Sequence, residues 1–313
     1  MDFTGFLGND AVKARLSGAF ASGRVAHSYL LCGPAGSGKH TLTRILSAAM
    51  QCEGRSGKIP CGVCSGCRKA LEGVHPDIIT VDDPDHKAMT VDPIRAARSD
   101  MFIRPNEGKR KIYIIPRGQD MNESAQNALL KILEEPPAHL MFILATTELH
   151  KVPATIKSRC QQFAFKRISP KALAGRLDYV ARQEGIPLST PAAELLARLA
   201  DGGLRDGLSL LDQCSGAEGE LNETVVLDVL GLAGNRRTAE LLDCVAREDT
   251  AGALEALDGL YRDGKDMGAL LGELAALVRD LLIRKTAPEG GQGLLTGGYE
   301  ERTIRQLLQR FTS

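Results

Sequence analysis

The chain has 313 residues, enough for about two or three domains, and is 43% hydrophobic and 25% charged, ordinary values for a globular protein. Lysine plus arginine and aspartate plus glutamate each total 39, so a net charge of zero gives no bulk attraction to nucleic acid or to a membrane surface. No stretch approaches the roughly 18 apolar residues of a membrane span, and the N-terminus MDFTGFLGND has no signal-peptide pattern, so a cytosolic (cytoplasmic) protein with no membrane partner is expected.

Up to about residue 165, short β-rich runs at 28–32, 77–81, 111–115, 141–146 and 161–165 alternate with helical patterns. Continuous apolar runs such as Ile112-Tyr113-Ile114-Ile115 and Phe142-Ile143-Leu144-Ala145 suit strands covered on both faces. Helical segments between them imply βαβ crossovers and an α/β fold with a parallel sheet.

The first run leads into Gly33-Pro34-Ala35-Gly36-Ser37-Gly38-Lys39, a strand–loop–helix context that gives the glycine pattern its meaning. Gly33, Gly36 and Gly38 let backbone N–H groups turn onto phosphate oxygens, Lys39 adds a positive charge, and the following helix dipole points the same way. The position where a serine or threonine hydroxyl ligates Mg²⁺ is His40, and imidazole is a poor ligand for that hard cation. Thr41 comes one residue later, about 100° further round the helix, and does not simply replace it. The loop is read as able to hold ATP or ADP, or as keeping only the shape of such a site, with ordered Mg²⁺ not expected.

Four of the eight cysteines, Cys52, Cys61, Cys64 and Cys67, crowd into sixteen residues. In a cytosolic chain this pattern suggests one metal site plus ordinary buried thiols. Four thiolates fill a Zn²⁺ tetrahedron and leave no open position, so a structural zinc is expected, with free thiols or a cluster as the alternative. Pro60, Gly62 and Gly66 permit the tight turns.

After the third run a hydrolysing phosphate-loop enzyme needs a metal-side aspartate, commonly followed by a glutamate that orients water. Here Ile115 is followed by Pro116 and Arg117, and the next acids, Asp120 and Glu123, fall at the start of the next helix. Hydrolysis at this chain's own site is not expected, unless another carboxylate reaches in from elsewhere. Asn122 is a good N-cap for that helix, with Glu123 in its first turn. Its apolar residues Ala125, Ala128, Leu129, Ile132 and Leu133 form one stripe, and Pro136-Pro137 ends it.

Beyond about residue 166 only helical patterns remain, roughly at 170–184, 191–201, 204–214, 222–232, 236–247, 250–263 and 266–285. Ser169-Pro170 and Thr190-Pro191 read as paired N-cap and N1 signals. A glycine-rich stretch at 288–298 precedes a last helix to about 312. The expected division is an α/β domain at 1–166 carrying the four-cysteine loop at 52–67, a small helical domain at 167–215 and a helical bundle at 216–313.

Several segments occur in the order and spacing of one known family. Asn127 to Pro137 (NALLKILEEPP), Phe142 to Thr147 (FILATT), Ser158-Arg159-Cys160 and Gly203 to Gln213 (GLRDGLSLLDQ) together resemble the clamp-loader branch of the AAA+ ATPases. The cysteine loop after the phosphate-loop helix is similar to that of bacterial clamp-loader subunits. The resemblance implies an AAA+ RecA-like five-stranded parallel sheet with helices on both faces, then a helical lid domain and a C-terminal helical collar. It also implies a DNA polymerase III clamp-loader ring with tau/gamma and delta subunits as partners, opening a sliding clamp and placing it on primer-template DNA. By the same resemblance Arg159 is an arginine finger given in trans to a neighbour's ATP site, Thr146 the sensor-1 residue and Arg205 the sensor-2 residue.

Within the family the retained Ser-Arg-Cys motif and the lost acids resemble the non-hydrolysing delta-prime type. The sensor-2 segment with Arg205 looks more like the tau/gamma motor, which stays the alternative. A third reading, a zinc and nucleic-acid-binding module, rests on the four-cysteine loop and on Lys109-Arg110-Lys111.

Overall fold

The structure is a computed structural model describing residues 1–54, 57–86, 88–291, 294–295 and 298–311. Residues 55 and 56 of the cysteine loop, four residues of the expected 288–298 stretch and residue 312 lie outside the described residues. The chain divides into two compact units: Met1–Ala172 with Gly202–Leu204, and Leu173–Asp201 with Arg205–Ser313.

The first unit is built on five parallel strands, β1 (Ser28–Cys32), β2 (Ile78–Thr80), β3 (Lys111–Ile115), β4 (Leu140–Thr146) and β5 (Gln161–Ala164), in the order β2-β3-β4-β1-β5. Helix α1 (Asp10–Ala21) precedes the first strand, and five helices lie between strands: α2 (Lys39–Met50), α3 (Ser65–Glu72), α4 (Asp92–Met101), α5 (Glu123–Glu134) and α6 (Ala154–Lys157). The expected strands and parallel sheet are present. β2 is shorter than expected, though the Asp77 carbonyl and the Val81 N–H still bond to β3.

Alternation along the strands explains why continuous apolar runs are needed. Leu30, Tyr113, Ile115, Phe142 and Leu144 enter one core with Leu129, Ile132 and Leu133 of α5 and Ile156 of α6. Their neighbours Tyr29, Leu31, Ile112, Met141 and Ile143 enter another core with Leu16 of α1 and Leu42, Ile45 and Leu46 of α2. Both faces of the sheet are therefore buried, as period-2 side-chain alternation requires of a covered parallel sheet. Removing such a leucine side chain to alanine costs about 2–5 kcal/mol.

The second unit is helical: α7 (Pro170–Gln183), α8 (Thr190–Leu199), α9 (Leu204–Cys214), α10 (Glu223–Val229), α11 (Gly234–Ala246), α12 (Thr250–Arg262), α13 (Met267–Thr286) and α14 (Glu301–Arg310), the first and third beginning at the unit boundary. Fourteen α-helices are present among the described residues. The N-cap of α8 is Ser189, whose hydroxyl accepts from the Ala192 N–H at 3.3 Å, rather than Thr190. Pro191 thereby moves one place into the first turn, where a missing N–H is still harmless. Around α11, Leu242, Leu277, Leu281, Ile304 and Leu307 form one buried cluster and Leu241, Leu260 and Leu270 another.

Candidate functional site

β1, an inner strand between β4 and β5, delivers the glycine loop at the carboxyl ends of the strands, where open parallel sheets bind ligands. The Gly33 N–H donates to the Thr146 carbonyl at 3.2 Å. A methyl group at Gly33 would lie 2.7 Å from the Phe165 carbonyl oxygen, and one at Gly38 would lie 2.9 Å from the Phe6 ring. Gly38 also has φ 93°, so a residue without Cβ is required there on both counts. Gly38 caps α2 without a side chain, and the first turn of α2 carries no acid, which leaves the positive helix end for an anion.

Lys39 is half-buried, and its ammonium donates to the Gly33 and Pro34 carbonyls at 2.8 and 2.6 Å. Burial lowers its pKa, because the charged form loses hydration. His40 is exposed and Thr41 half-buried, one residue further along α2. Thr146 is buried at the end of β4, paired with Cys32, and its hydroxyl accepts from the Glu148 N–H at 3.0 Å. The structure thus brings Gly33, Pro34, Gly36, Gly38, Lys39 and Thr146 to one strand-end cluster. Arg205 lies in the second unit, exposed on the first turn of α9.

Pro116 and Arg117 directly follow β3. The Arg117 guanidinium donates through Nε to Asp82 Oδ1 at 2.9 Å, to the Asp83 carbonyl, and to the His86 carbonyl at 3.4 Å. It also lies 3.8 Å from Asp120, in a 3-10 turn spanning Gly118–Asp120. Asp83 accepts from the Thr90 hydroxyl at 2.8 Å and contacts His86 Nδ1 at 2.7 Å, which hold its carboxyl down at about 2. The carboxylates of Asp82, Asp83 and Asp120 are engaged with the chain's own cations and donors. Glu123 opens α5, as expected.

Pro153 precedes the short α6, and Arg159 follows it. Its guanidinium donates to the Thr155 carbonyl and to Glu134 Oε1, both at 2.9 Å, with the side chain 34% exposed. Cys160 is buried and its thiol is pushed up to about 12 by desolvation. The motif therefore splits between a surface cation and a core anchor. The Glu134 contact was not legible in the sequence; the available signal is an acid in the last turn of a helix, against the dipole.

The cysteine loop closes on itself. The sulfurs of Cys52, Cys61, Cys64 and Cys67 all lie within 4.8 Å of one another, and those of Cys61 and Cys67 are 3.8 Å apart. A Zn–S bond near 2.3 Å gives a tetrahedral S–S edge of about 3.8 Å, so the set fits zinc. Backbone N–H groups of Gly54, Cys64 and Cys67 point at the sulfurs of Cys52, Cys61 and Cys64 at 3.2–3.4 Å, the outer-shell bonds that steady thiolates. The backbone N–H groups of Cys64 and Val63 hold the Cys61 thiol down at about 6, whereas burial raises Cys67. Half of the set is tied to a helix, because Cys64 caps α3 with extended backbone and Cys67 lies in its first turn.

Buried Gln51 ties the knot to the segment that enters β3: its amide donates to the Arg110 carbonyl at 2.6 Å and accepts from the Lys109 N–H at 3.0 Å. Lys109 Nζ donates to the Cys52 carbonyl at 2.7 Å, and Lys111 is buried with its ammonium 2.7 Å from Asp100. The run Lys109-Arg110-Lys111 is therefore no free basic strip. Arg110 also donates to the Ala138 carbonyl at 3.4 Å, so all three side chains have internal partners, and among the described residues only Lys111 of the three is paired with a carboxylate.

Residues 8–169 match the family model described as "DNA polymerase III, delta subunit". Residues 172–215 match "DNA polymerase III clamp loader subunit, ATPase lid domain", and 221–313 match "DNA polymerase III subunits gamma and tau domain III". Among curated proteins, DNA polymerase III subunit tau of Bacillus subtilis is 36% identical over 309 residues, covering 98% of this chain and 54% of that protein. The tau subunit of Escherichia coli is 32% identical over 287 residues, covering 91% and 44%. The chain thus spans about half the length of the curated relatives it matches. Among solved structures, the Thermotoga maritima RuvB Holliday junction branch migration motor aligns with TM-score 0.51 and 19% identity over 77% of this chain and 76% of that one, a likeness of fold alone.

Proposed function

The chain belongs to the DNA polymerase III clamp-loader family of gamma/tau type, with an AAA+ fold, and from that premise we propose that it is a non-hydrolysing, delta-prime-like subunit of the loader. The reading rests on one contrast. The phosphate loop and Arg159 are kept, while Arg117, paired with Asp82, stands where a motor subunit carries its acids.

On this reading the chain sits in a hetero-oligomeric ring with tau/gamma and delta subunits and helps place a sliding clamp on primed DNA. Its domains are the α/β domain 1–166, a lid 167–215 and a collar 216–313. The guanidinium of Arg159 approaches the transferring phosphoryl group of a neighbour's nucleotide. There a planar, permanently charged fork stabilises the charge that develops on the phosphate oxygens. The loop and Lys39 hold ATP or ADP by backbone N–H groups and one ammonium, with Thr146 at the sensor-1 position, and Arg205 matches the sensor-2 residue by its sequence segment. Zinc on Cys52, Cys61, Cys64 and Cys67 is structural, and the site of action is cytoplasmic.

The test is reconstitution with a motor and a delta subunit. The lone chain is expected to release no phosphate, and Arg159→Ala to cut ring ATPase by about 10³-fold or more. Ring turnover untouched by Arg159→Ala refutes the finger. The second reading, an active tau/gamma ATPase, draws on the relatives' names together with Lys39 and Arg205. Lone-chain hydrolysis abolished by Lys39→Ala favours it.

A further inference from the structure

Glu134 occupies the last turn of α5, followed by Glu135 at the C-cap. A carboxylate at that end faces the negative pole of the helix and the orphan carbonyls, an arrangement helices avoid without compensation. Lys131 is the helix's own last-turn cation, but the partner Glu134 makes contact with is Arg159, 2.9 Å away on the segment that follows α6. A local rule broken beside a surface cation points to a job for the pair beyond the helix itself.

We propose that Glu134 is the positioning residue for Arg159, fixing the direction in which the guanidinium is presented. The proposal rests on the finger reading given above. One terminal nitrogen of Arg159 donates to the Thr155 carbonyl and to the Ser158 hydroxyl, the latter at 3.4 Å, and the other terminal nitrogen donates to Glu134. The group is thus gripped from the end of α6, which it follows, and from α5. Neither grip floats: Leu129, Ile132 and Leu133 of α5 share one buried cluster with Val152, Ile156 and Cys160, the residues that bracket the motif. A long side chain that would otherwise sample many rotamers is held by two points referenced to one core. With 34% of the side chain exposed, part of the group still faces outward. Fixing geometry before the reaction is what preorganisation demands of a group that must meet developing charge at about 3 Å.

An exposed ion pair adds little to folding stability, so the pair can be broken without unfolding the unit. In rings reconstituted from full-length chains, Glu134→Ala is expected to lower kcat about 10-fold with KM for ATP within about twofold, since small misplacements of a catalytic group act on turnover. Glu134→Gln, which keeps an acceptor oxygen, should recover part or all of that loss. In an Arg159→Ala background, Glu134→Ala should add nothing. In the lone chain, labelling of Arg159 by phenylglyoxal, followed by mass spectrometry, should speed up in Glu134→Ala.

Unchanged or higher ring turnover in Glu134→Ala, alongside a loss in Arg159→Ala, overturns the positioning role, as does unchanged labelling. A turnover that ignores Arg159→Ala overturns the finger itself and leaves the labelling result to judge the contact. A kcat loss accompanied by a drop in melting temperature, with no rescue by glutamine, marks a merely structural residue and also overturns the proposal.

Discussion

Arg117 and Asp82 form an ion pair, Nε to Oδ1 at 2.9 Å, that joins the end of β3 to the end of β2. The guanidinium also reaches two backbone carbonyls of the 83–86 segment and lies 3.8 Å from Asp120, so a fixed cation of the chain itself offsets the charge of Asp82 and Asp120. Nucleotide affinity should then depend little on divalent metal. Wild-type chain titrated with a fluorescent ATP analogue is expected to bind within about threefold with Mg²⁺ or with EDTA. The double variant Pro116→Asp/Arg117→Glu should gain about tenfold or more in Mg²⁺ dependence, since hard oxygen ligands then replace a cation. A strong metal requirement in the wild type contradicts this.

Lys39 supplies the one side-chain charge of the cradle. Lys39→Ala is expected to weaken nucleotide binding by about 10–100-fold, the worth of charge-assisted hydrogen bonds to phosphate. Thermal stability should barely move, because the ammonium bonds only to two loop carbonyls, Gly33 and Pro34. Equal affinities by calorimetry would place the nucleotide elsewhere or nowhere.

The four sulfurs should carry one zinc per chain, measured by atomic emission on protein purified without added metal. Cys64→Ser, at a fully buried ligand that also caps α3, is expected to abolish the metal and lower the melting temperature, because metal binding free energy is folding free energy in such knots. Binding should weaken as pH falls, since protons compete for the thiolates. Full stoichiometry in Cys64→Ser rules out the four-cysteine assignment.

His86 and Asp83 give a pH signature. Asp83 is held down at about 2, from 3.8, first by His86 and then by Thr90, so its contribution is present above 3.8 and lost as pH falls through 2. His86 is raised above 6.5 by the same contact, so its share is full below 6.5 and lost as pH climbs through the raised value. The pair is strongest between 3.8 and 6.5. NMR titration should place His86 above 6.5 in the wild type and return it toward 6.5 in Asp83→Asn; an identical midpoint in both refutes the contact.

Gly33→Ala tests the tightness of the loop. Its added methyl would meet the Phe165 backbone oxygen at 2.7 Å, which the rigid β5 end cannot yield cheaply. A loss of about 1–3 kcal/mol by chemical denaturation is expected.

What the sequence revealed follows the range of the interactions involved. Apolar runs covered on both faces marked β1, β3 and β4, and the Gly33–Lys39 loop was legible because its chemistry is backbone chemistry set by adjacent residues. Glu134 with Arg159, Arg117 with Asp82 and Gln51 with Arg110 were not legible, because each joins positions 25 to 59 residues apart. The helical half of the cysteine knot was hidden because glycine and cysteine spacing signals turns more strongly than a two-turn helix. Ser189 lost to Thr190 as a cap because both offer a hydroxyl, and only the entering backbone decides between them.

Helix α2 begins at Lys39, ends at Met50 and hands the chain to Cys52 two residues later. Cradle and knot are thus opposite ends of one rod about 18 Å long, its inner side wedged against the sheet by Leu42, Ile45 and Leu46. That packing couples the two ends, so stripping zinc from the thiols with a chelator is expected to act at a distance on how firmly the glycine turn grips an anion.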